Sequence, residues 1–207
     1  MMAPVDYIRD PNEIYRRSFE AVAVETDISG IPPEGVPLTH RIVHACGMPE
    51  ITRDLRMTNH AITAGRNALH AGAVILADCN MVASGIIRDR LPNDNAIICT
   101  LNDARPKPGN TRSAAAVDAW NQHLENAVVA IGNAPTALFR LLEILQDGAP
   151  KPAVILGFPV GFVGAAESKE ALTLSNLEID FITLLGRRGG SAIAAAAVNA
   201  LSSDNVI

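Results

Sequence analysis

The second half of the chain repeats one pattern three times: an apolar run, a short glycine-containing loop and a helix-like stretch. The apolar runs are residues 127–131, 153–158 and 181–185. A strand that leads directly into a helix, repeated along a chain, is typical of a parallel sheet with helices on both faces. The second half therefore predicts an α/β fold.

Two further apolar runs, 73–78 and 96–101, precede these three. Together they predict a three-layer α/β/α fold with a mainly parallel sheet of about five strands. Neither a linker nor a low-complexity tract interrupts the 207 residues, so we expect one domain over 1–207.

Helical patterns account for most of the remaining chain. Apolar spacing predicts a helical N-terminal region with helices at 11–26, 38–46 and 59–71, the second ending at Gly47. A long helix over 112–127 is expected, with Asn110 or Thr111 as its N-cap. In the segment GAAESKEAL, the side chains of Glu167, Lys169 and Glu170 are predicted to form a solvated face.

Composition restricts the kinds of ligand that the protein is expected to bind and the cellular compartment in which it is expected. A net charge of −5 gives no support to nucleic-acid binding. The chain has 14 Arg and 3 Lys; Arg suits bidentate binding of carboxylates, although a GC-rich genome also favours it. Scattered cysteines without a CxxC motif, an N-terminus unlike a signal peptide and no membrane-length apolar run favour a cytoplasmic protein.

The strand-to-helix junctions predict an anion-binding edge of the sheet. Backbone N–H groups at a helix N-terminus lack partners within the helix and favour negative charge. In GRRGGSA (186–192), Arg187 and Arg188 add two cations to such a junction. In GNAPTA (132–137), Asn133 either caps the helix or, with Thr136, faces a ligand. Arg112, at the start of another helix, either meets an anion or lies on the surface.

His44 is the candidate acid–base residue. Histidine is a side chain that can both donate and accept a proton, and Arg41 lies three residues earlier on the same helix face; a purely structural histidine is the alternative. His40 and His44 have a metal-ligand spacing, but no third ligand follows, so we expect no metal site.

Nine motifs, in order along nearly the whole chain, resemble those of the precorrin-8X methylmutase family. They are IYRRSF (14–19), RIVHACGM (41–48), AGAVILAD (71–78), MVASGI (81–86), LPNDNAIICTL (91–101), GNTRSAAA (109–116), AVVAIGNAPTALF (127–139), PVGFVGAAESKEAL (159–172) and GRRGGSA (186–192). Each motif alone is weak, whereas the ordered set is specific.

The resemblance implies an isomerase of cobalamin biosynthesis. It would move one methyl group from C-11 to C-12 of precorrin-8X, or of cobalt-precorrin-8, giving hydrogenobyrinic acid or its cobalt analogue. The resemblance also implies a homodimer with active sites near its interface and no cofactor or metal. His44 would be the proton donor and acceptor, as a buried imidazolium. The residues expected to bind substrate are Arg17, Ser18, Arg41, Arg112, Asn133, Thr136, Arg187, Arg188 and Ser191.

Two other classes of protein use similar features. A non-catalytic tetrapyrrole-binding or carrier protein would use the same arginines and helix N-termini without needing His44. An enzyme acting on nucleotides or phosphate esters would bind its ligand at the GNAPTA or GRRGG loop. The GNAPTA loop is not GxGxxG, and no suitably spaced acidic residue follows it, which weakens the dinucleotide interpretation.

Overall fold

The computed structural model describes residues 6–203 as one six-stranded, mostly parallel sheet between two layers of helices. This confirms the predicted three-layer α/β class. Residues 1–5 and 204–207 lie outside the described residues, so the expectation of one domain over 1–207 stays a prediction. No helix in the described part of the chain is long and apolar enough to cross a membrane.

The elements alternate along most of the chain. The strands are β1 (Leu55–Met57), β2 (Ile75–Ala77), β3 (Ile97–Ile98), β4 (Val128–Ile131), β5 (Val154–Gly157) and β6 (Phe181–Leu184). The α-helices are α1 (Pro11–Glu25), α2 (Val36–Cys46), α3 (Ala61–His70), α4 (Asn80–Gly85), α5 (Arg112–Asp118), α6 (Pro135–Gln146), α7 (Ala165–Leu174) and α8 (Ser191–Leu201). Short 3-10 turns cover Pro33–Gly35, Pro49–Asp54, Arg88–Arg90 and Asn121–His123.

The strand order is β1-β6-β5-β4-β2-β3, and β1 is the one strand of this sheet that pairs antiparallel. The prediction of about five strands missed β1. This strand has three residues, with an exposed Arg56 in the middle, and lies at a sheet edge. So short a segment carries no strand pattern of its own, and it is extended because Leu55 and Met57 pair with β6.

Each strand divides its side chains between the two helical layers. Along β4, Val128 and Ala130 belong to the core shared with α2, α3, α4 and α8, whereas Val129 and Ile131 belong to the core shared with α5 and α6. Because both faces are covered, the buried strands are apolar along their whole length, as the sequence pattern indicated.

Helix α8 packs unusually close to the sheet and to α4. Every residue of α8 except Ala192 is buried. A Cβ atom added at Gly132, directly after β4, would lie 2.7 Å from the Ser191 Cα atom, and one added at Gly85 would lie 2.7 Å from the Ala195 Cβ atom. The glycines thus allow backbone approaches that a side chain would prevent.

The helix predicted over 112–127 is wrong in length, because α5 ends at Asp118. Trp120 is fully buried, and its Nε1–H donates to the Thr100 hydroxyl at 3.0 Å. The helix ends two residues before Trp120, and the indole ring of Trp120 packs into the core. Thr111 is the N-cap, accepting from the Ala114 N–H at 3.1 Å, which confirms one of the two predicted caps.

A buried carboxylate closes the β4–α6 junction. Asp78 follows β2 and is 2% exposed. Its Oδ1 atom accepts from the Gly132 N–H, and its Oδ2 atom accepts from the N–H groups of Asn133 and Ala134, each at 2.9 Å. Burial raises the pKa of Asp78, and the three backbone hydrogen bonds oppose that rise. The Asp78 carboxylate therefore already accepts the backbone N–H groups of this junction that could otherwise have bound an anionic ligand.

Replacing Asp78 with Asn should destabilise the fold. Asn offers one oxygen where two now accept three N–H groups, so at least one buried donor loses its partner. We expect the free energy of unfolding, measured with urea, to fall by about 1–3 kcal/mol. Asp118→Asn is the matched control, because Asp118 bonds Arg140 at the exposed surface. Equal losses in the two variants would contradict the proposed importance of the Asp78 bonds.

Replacing Gly132 with Ala should separate α8 from the end of β4. The added methyl group meets backbone, which cannot rotate away, so we expect a loss of about 1–3 kcal/mol in thermal or urea unfolding. Gly30→Ala is the control, because a Cβ at Gly30 meets no atom within 4 Å. Unchanged stability of Gly132→Ala would show that α8 can shift at little cost.

Candidate functional site

His44 lies in the last turn of α2, whose C-cap Gly47 has a left-handed φ of 68°. The Ser18 hydroxyl oxygen lies 3.0 Å from His44 Nδ1, and the Phe19 ring stacks on the imidazole with centroids 4.7 Å apart. Ser18 therefore orients the ring and leaves Nε2 as the nitrogen that can exchange a proton with a ligand. The expected burial is wrong for this chain by itself: His44 is exposed, since Phe19 covers only one side.

Two adjoining hollows share His44. The larger, about 370 Å³, lies between α2, α4 and α8. The smaller, about 190 Å³, lies between α1 and the end of α2 and is lined by Ser18, Gly47 and Pro49. A ligand in either hollow meets the imidazole, so His44 lies at the junction of a composite site.

One wall of the larger hollow is a strip of alanines on α8. Ala192, Ala195 and Ala196 line it at helical spacing. Small side chains make this wall flat and apolar, which suits the face of a planar or macrocyclic ligand. These residues were not among the predicted site residues, although their spacing at i, i+3 and i+4 is present in the sequence.

Cationic and polar groups surround the alanine wall. Arg41 is 9% exposed, and its guanidinium carbon lies 5.7 Å from the Phe19 ring centroid. Arg90, which was not among the predicted site residues, is exposed and lines the same hollow. Asn199 accepts from the Ile87 N–H and donates to the Gly85 carbonyl, so it holds the turn that carries this side of the hollow.

The GRRGG loop lies beside the smaller hollow. Arg188 forms an ion pair with Glu50 at 2.8 Å, and Glu50 follows Pro49, which lines that hollow. The Arg187 guanidinium carbon lies 5.4 Å from the Phe162 ring centroid. Both arginines are exposed, so the loop presents two cations at the carboxyl end of β6. Binding of substrate carboxylates by this loop stays a prediction.

Two other expected substrate-binding residues have partners within the chain. Arg17 is exposed beside Ser18, and its Nε–H donates to Glu13 at 2.6 Å. Ser191 is 7% exposed, and its hydroxyl oxygen lies 3.4 Å from the Cys79 sulfur. The Ser191 hydroxyl therefore faces the interior at the start of α8.

Asn133, Thr136 and Arg112 lie away from the two hollows around His44. Asn133 is not the N-cap of α6; that position is Ala134, and no side chain of the cap accepts a hydrogen bond. Thr136 accepts from the Thr111 hydroxyl at 2.9 Å and lines a separate hollow of about 850 Å³ on the α5–α6 side. Arg112 is exposed at the start of α5.

The prediction of a solvated face is wrong for Lys169. Glu167 and Glu170 are exposed, but Lys169 is fully buried, and its Nζ donates to the Arg188 carbonyl oxygen at 2.6 Å. Burial lowers the pKa of Lys169 to about 8, an effect that the negative charge of Asp54 partly offsets. Its neighbours in sequence are polar, so the helical pattern gave no signal of this burial.

Over residues 6–203, no group of three or more His, Cys, Asp or Glu is arranged to hold a metal ion. His40, the possible partner of His44 in such a site, is partly buried, and burial lowers its pKa. The absence of a metal requirement stays a prediction.

Comparison with known proteins identifies the family. The family model for precorrin-8X methylmutase matches residues 13–203. The precorrin-8X methylmutase of Pseudomonas aeruginosa is 56% identical over 97% of this chain and 99% of that protein. The protein of the same name from a Sinorhizobium species is 54% identical over 97% of this chain and 98% of its own length.

A solved structure agrees with these relatives. The crystal structure of precorrin-8X methyl mutase from Thermus thermophilus superposes with a TM-score of 0.83 at 36% identity, covering 92% of this chain and 94% of that one. The resemblance inferred from the motifs, and with it the enzyme class of isomerase in cobalamin biosynthesis, is confirmed. The chain belongs to the precorrin-8X methylmutase family.

Proposed function

We propose that this chain moves the methyl group at C-11 of precorrin-8X to C-12, giving hydrogenobyrinic acid. The observation that carries this proposal is the placement of His44 between two hollows, held by Ser18 and flanked by arginines, in a chain of this family. The reaction is intramolecular, so the protein needs a proton donor and a shaped site rather than a nucleophile.

His44 exchanges the proton in this proposal. Ser18 fixes Nδ1, and Phe19 stacking fixes the ring plane, so Nε2 faces a bound macrocycle in one orientation. Donation from the imidazolium favours the tautomer in which the methyl group can migrate, and the neutral ring then takes the proton back. The macrocycle supplies the driving force, because migration restores conjugation around C-11.

The surrounding residues bind and orient the macrocycle. One face of the ring system lies against Ala192, Ala195 and Ala196, and the carboxylates at its rim meet Arg41 and the GRRGG arginines. A flat apolar wall with cations around it matches a ligand that is apolar in its centre and anionic at its edge. Binding of this kind holds a flexible macrocycle in the reactive geometry.

We propose the metal-free substrate, because the relatives from Pseudomonas and Sinorhizobium are named for precorrin-8X. We also propose a cytoplasmic homodimer whose second copy covers the exposed side of His44. Phe162 and Val163 are 84% and 87% exposed, which leaves apolar surface for such a contact. Covering His44 would exclude water from the proton transfer.

A visible spectrum of the purified protein mixed with precorrin-8X is the first test. A shift to the spectrum of the more conjugated product, with unchanged mass, supports the proposed reaction. Binding without that shift would instead support a carrier protein. Conversion of cobalt-precorrin-8 in place of precorrin-8X would keep the reaction and overturn the metal-free assignment.

Replacing His44 with Ala should abolish isomerisation while the macrocycle still binds. Loss of a general acid–base residue costs roughly 10²–10⁴-fold in rate, measured as turnover with saturating precorrin-8X. His60→Ala is the control, because His60 is an exposed histidine at the start of α3. Full activity in His44→Ala would refute the assigned role.

Replacing Arg187 or Arg188 with Ala should weaken macrocycle binding by roughly 1–3 kcal/mol, the range for losing a charged hydrogen bond. Titration followed by absorbance measures the dissociation constant. Arg140→Ala is the matched control: Arg140 is paired with Asp118 and Glu143 and lies on the α5–α6 side. A dissociation constant unchanged in the two loop variants would show that these arginines only decorate the surface.

A further inference from the structure

The carbonyl groups of the GRRGG loop are held from one side. The Gly161 N–H donates to the Arg187 carbonyl at 3.2 Å, and Lys169 Nζ donates to the Arg188 carbonyl at 2.6 Å. Both donors come from the segment between β5 and the middle of α7. The main chain of both loop arginines is therefore fixed by the neighbouring strand-to-helix unit.

Close backbone packing completes this fixation. The Gly190 N–H donates to the Phe158 carbonyl at 2.9 Å. A Cβ added at Gly189 would lie 2.3 Å from the same carbonyl oxygen, so the chain can pass there only as glycine. The main chain of the loop thus runs against β5 at one end, and Lys169 holds its middle.

Burial of the Lys169 ammonium group has a large desolvation cost. Removing an ammonium group from water is expensive unless its hydrogen bonds are replaced, and an apolar side chain of the same length would pack at lower cost. Lys169 is fully buried, whereas Lys151 is exposed. Because the carbonyl that Lys169 meets belongs to one of the two loop arginines, its position links the interior of α7 to the proposed carboxylate-binding rim.

We propose that Lys169 is a positioning residue, which holds the Arg188 carbonyl and so keeps Arg187 and Arg188 in place for the substrate's carboxylates. The expected effect on substrate binding rests on the proposed function. The structural part, that Lys169 restrains the loop, stands on the geometry alone. Lys169 itself touches no reacting atom in this role.

Lys169→Met tests the role, because it keeps the length and apolar stem of the side chain and removes the N–H donor. We expect KM for precorrin-8X to rise about tenfold with kcat within about twofold, since the arginines bind carboxylates away from the migrating methyl group. Lys151→Met is the matched control and should change neither constant. In an Arg187→Ala/Arg188→Ala background, Lys169→Met should raise KM little further, because both guanidinium groups that it positions are gone.

Limited digestion with trypsin measures how firmly the GRRGG loop is held, and it does not depend on enzyme activity. Arg188 is exposed, and its carbonyl, which Lys169 holds, belongs to the bond that trypsin cleaves. We expect Lys169→Met to speed cleavage after Arg188 by about tenfold relative to cleavage after Arg112, an exposed reference site at the start of α5. Mass spectrometry identifies the two sites. If Lys169→Met does not fold, Lys169→Gln takes its place in both measurements.

The outcomes separate the two proposals. Unchanged cleavage after Arg188, or an equal increase after Arg112, would overturn restraint of the loop by Lys169. Faster cleavage with unchanged KM would overturn its role in substrate binding. A wild-type protein that does not convert precorrin-8X would overturn the proposed function, and the digestion would still decide whether Lys169 holds the loop.

Discussion

The close approach of α8 to the sheet is the constraint on which the rest of this structure depends. It requires glycine at 132 and 85, because a Cβ atom at either position would lie 2.7 Å from an atom of α8, a helix that itself carries a run of alanines. Two of the small residues in this packing, Gly85 and Ala195, also line the larger hollow. The flat wall beside His44 is thus a consequence of how the core is packed.

Charge at the carboxyl end of the strands is arranged in two different ways. At the β4–α6 junction, Asp78 supplies an internal anion and satisfies three backbone donors. At the β6–α8 junction, the loop carries two arginines, and the buried ammonium of Lys169 holds its main chain. One junction is therefore closed by the chain itself, and the other carries two exposed arginines. Both meet the same physical requirement, that polar groups near the core have partners.

Several parts of the fold could be predicted because their signals are local. The apolar runs of β4, β5 and β6, the glycine end of α2 and the Thr111 cap each follow from a few neighbouring residues. The edge strand β1 and the early end of α5 could not, because they depend on pairing with β6 and on burial of Trp120. His44 and the loop arginines were predicted as site residues from motifs, whereas the positions of Arg90 and the alanine wall beside His44 follow from the packing of helices distant in sequence.

The sequence by itself determined the class of fold, the family and the chemical types available: histidines able to exchange a proton and an excess of arginine over lysine. These depend on residue identity and short-range pattern. The tertiary structure alone decided which groups meet. Ser18 contacts His44, Asp78 accepts the backbone N–H groups of the GNAPTA loop, and buried Lys169 donates to the Arg188 carbonyl. The residues of each of these pairs lie far apart in sequence, so tertiary packing brings them together and local sequence patterns do not predict the contact.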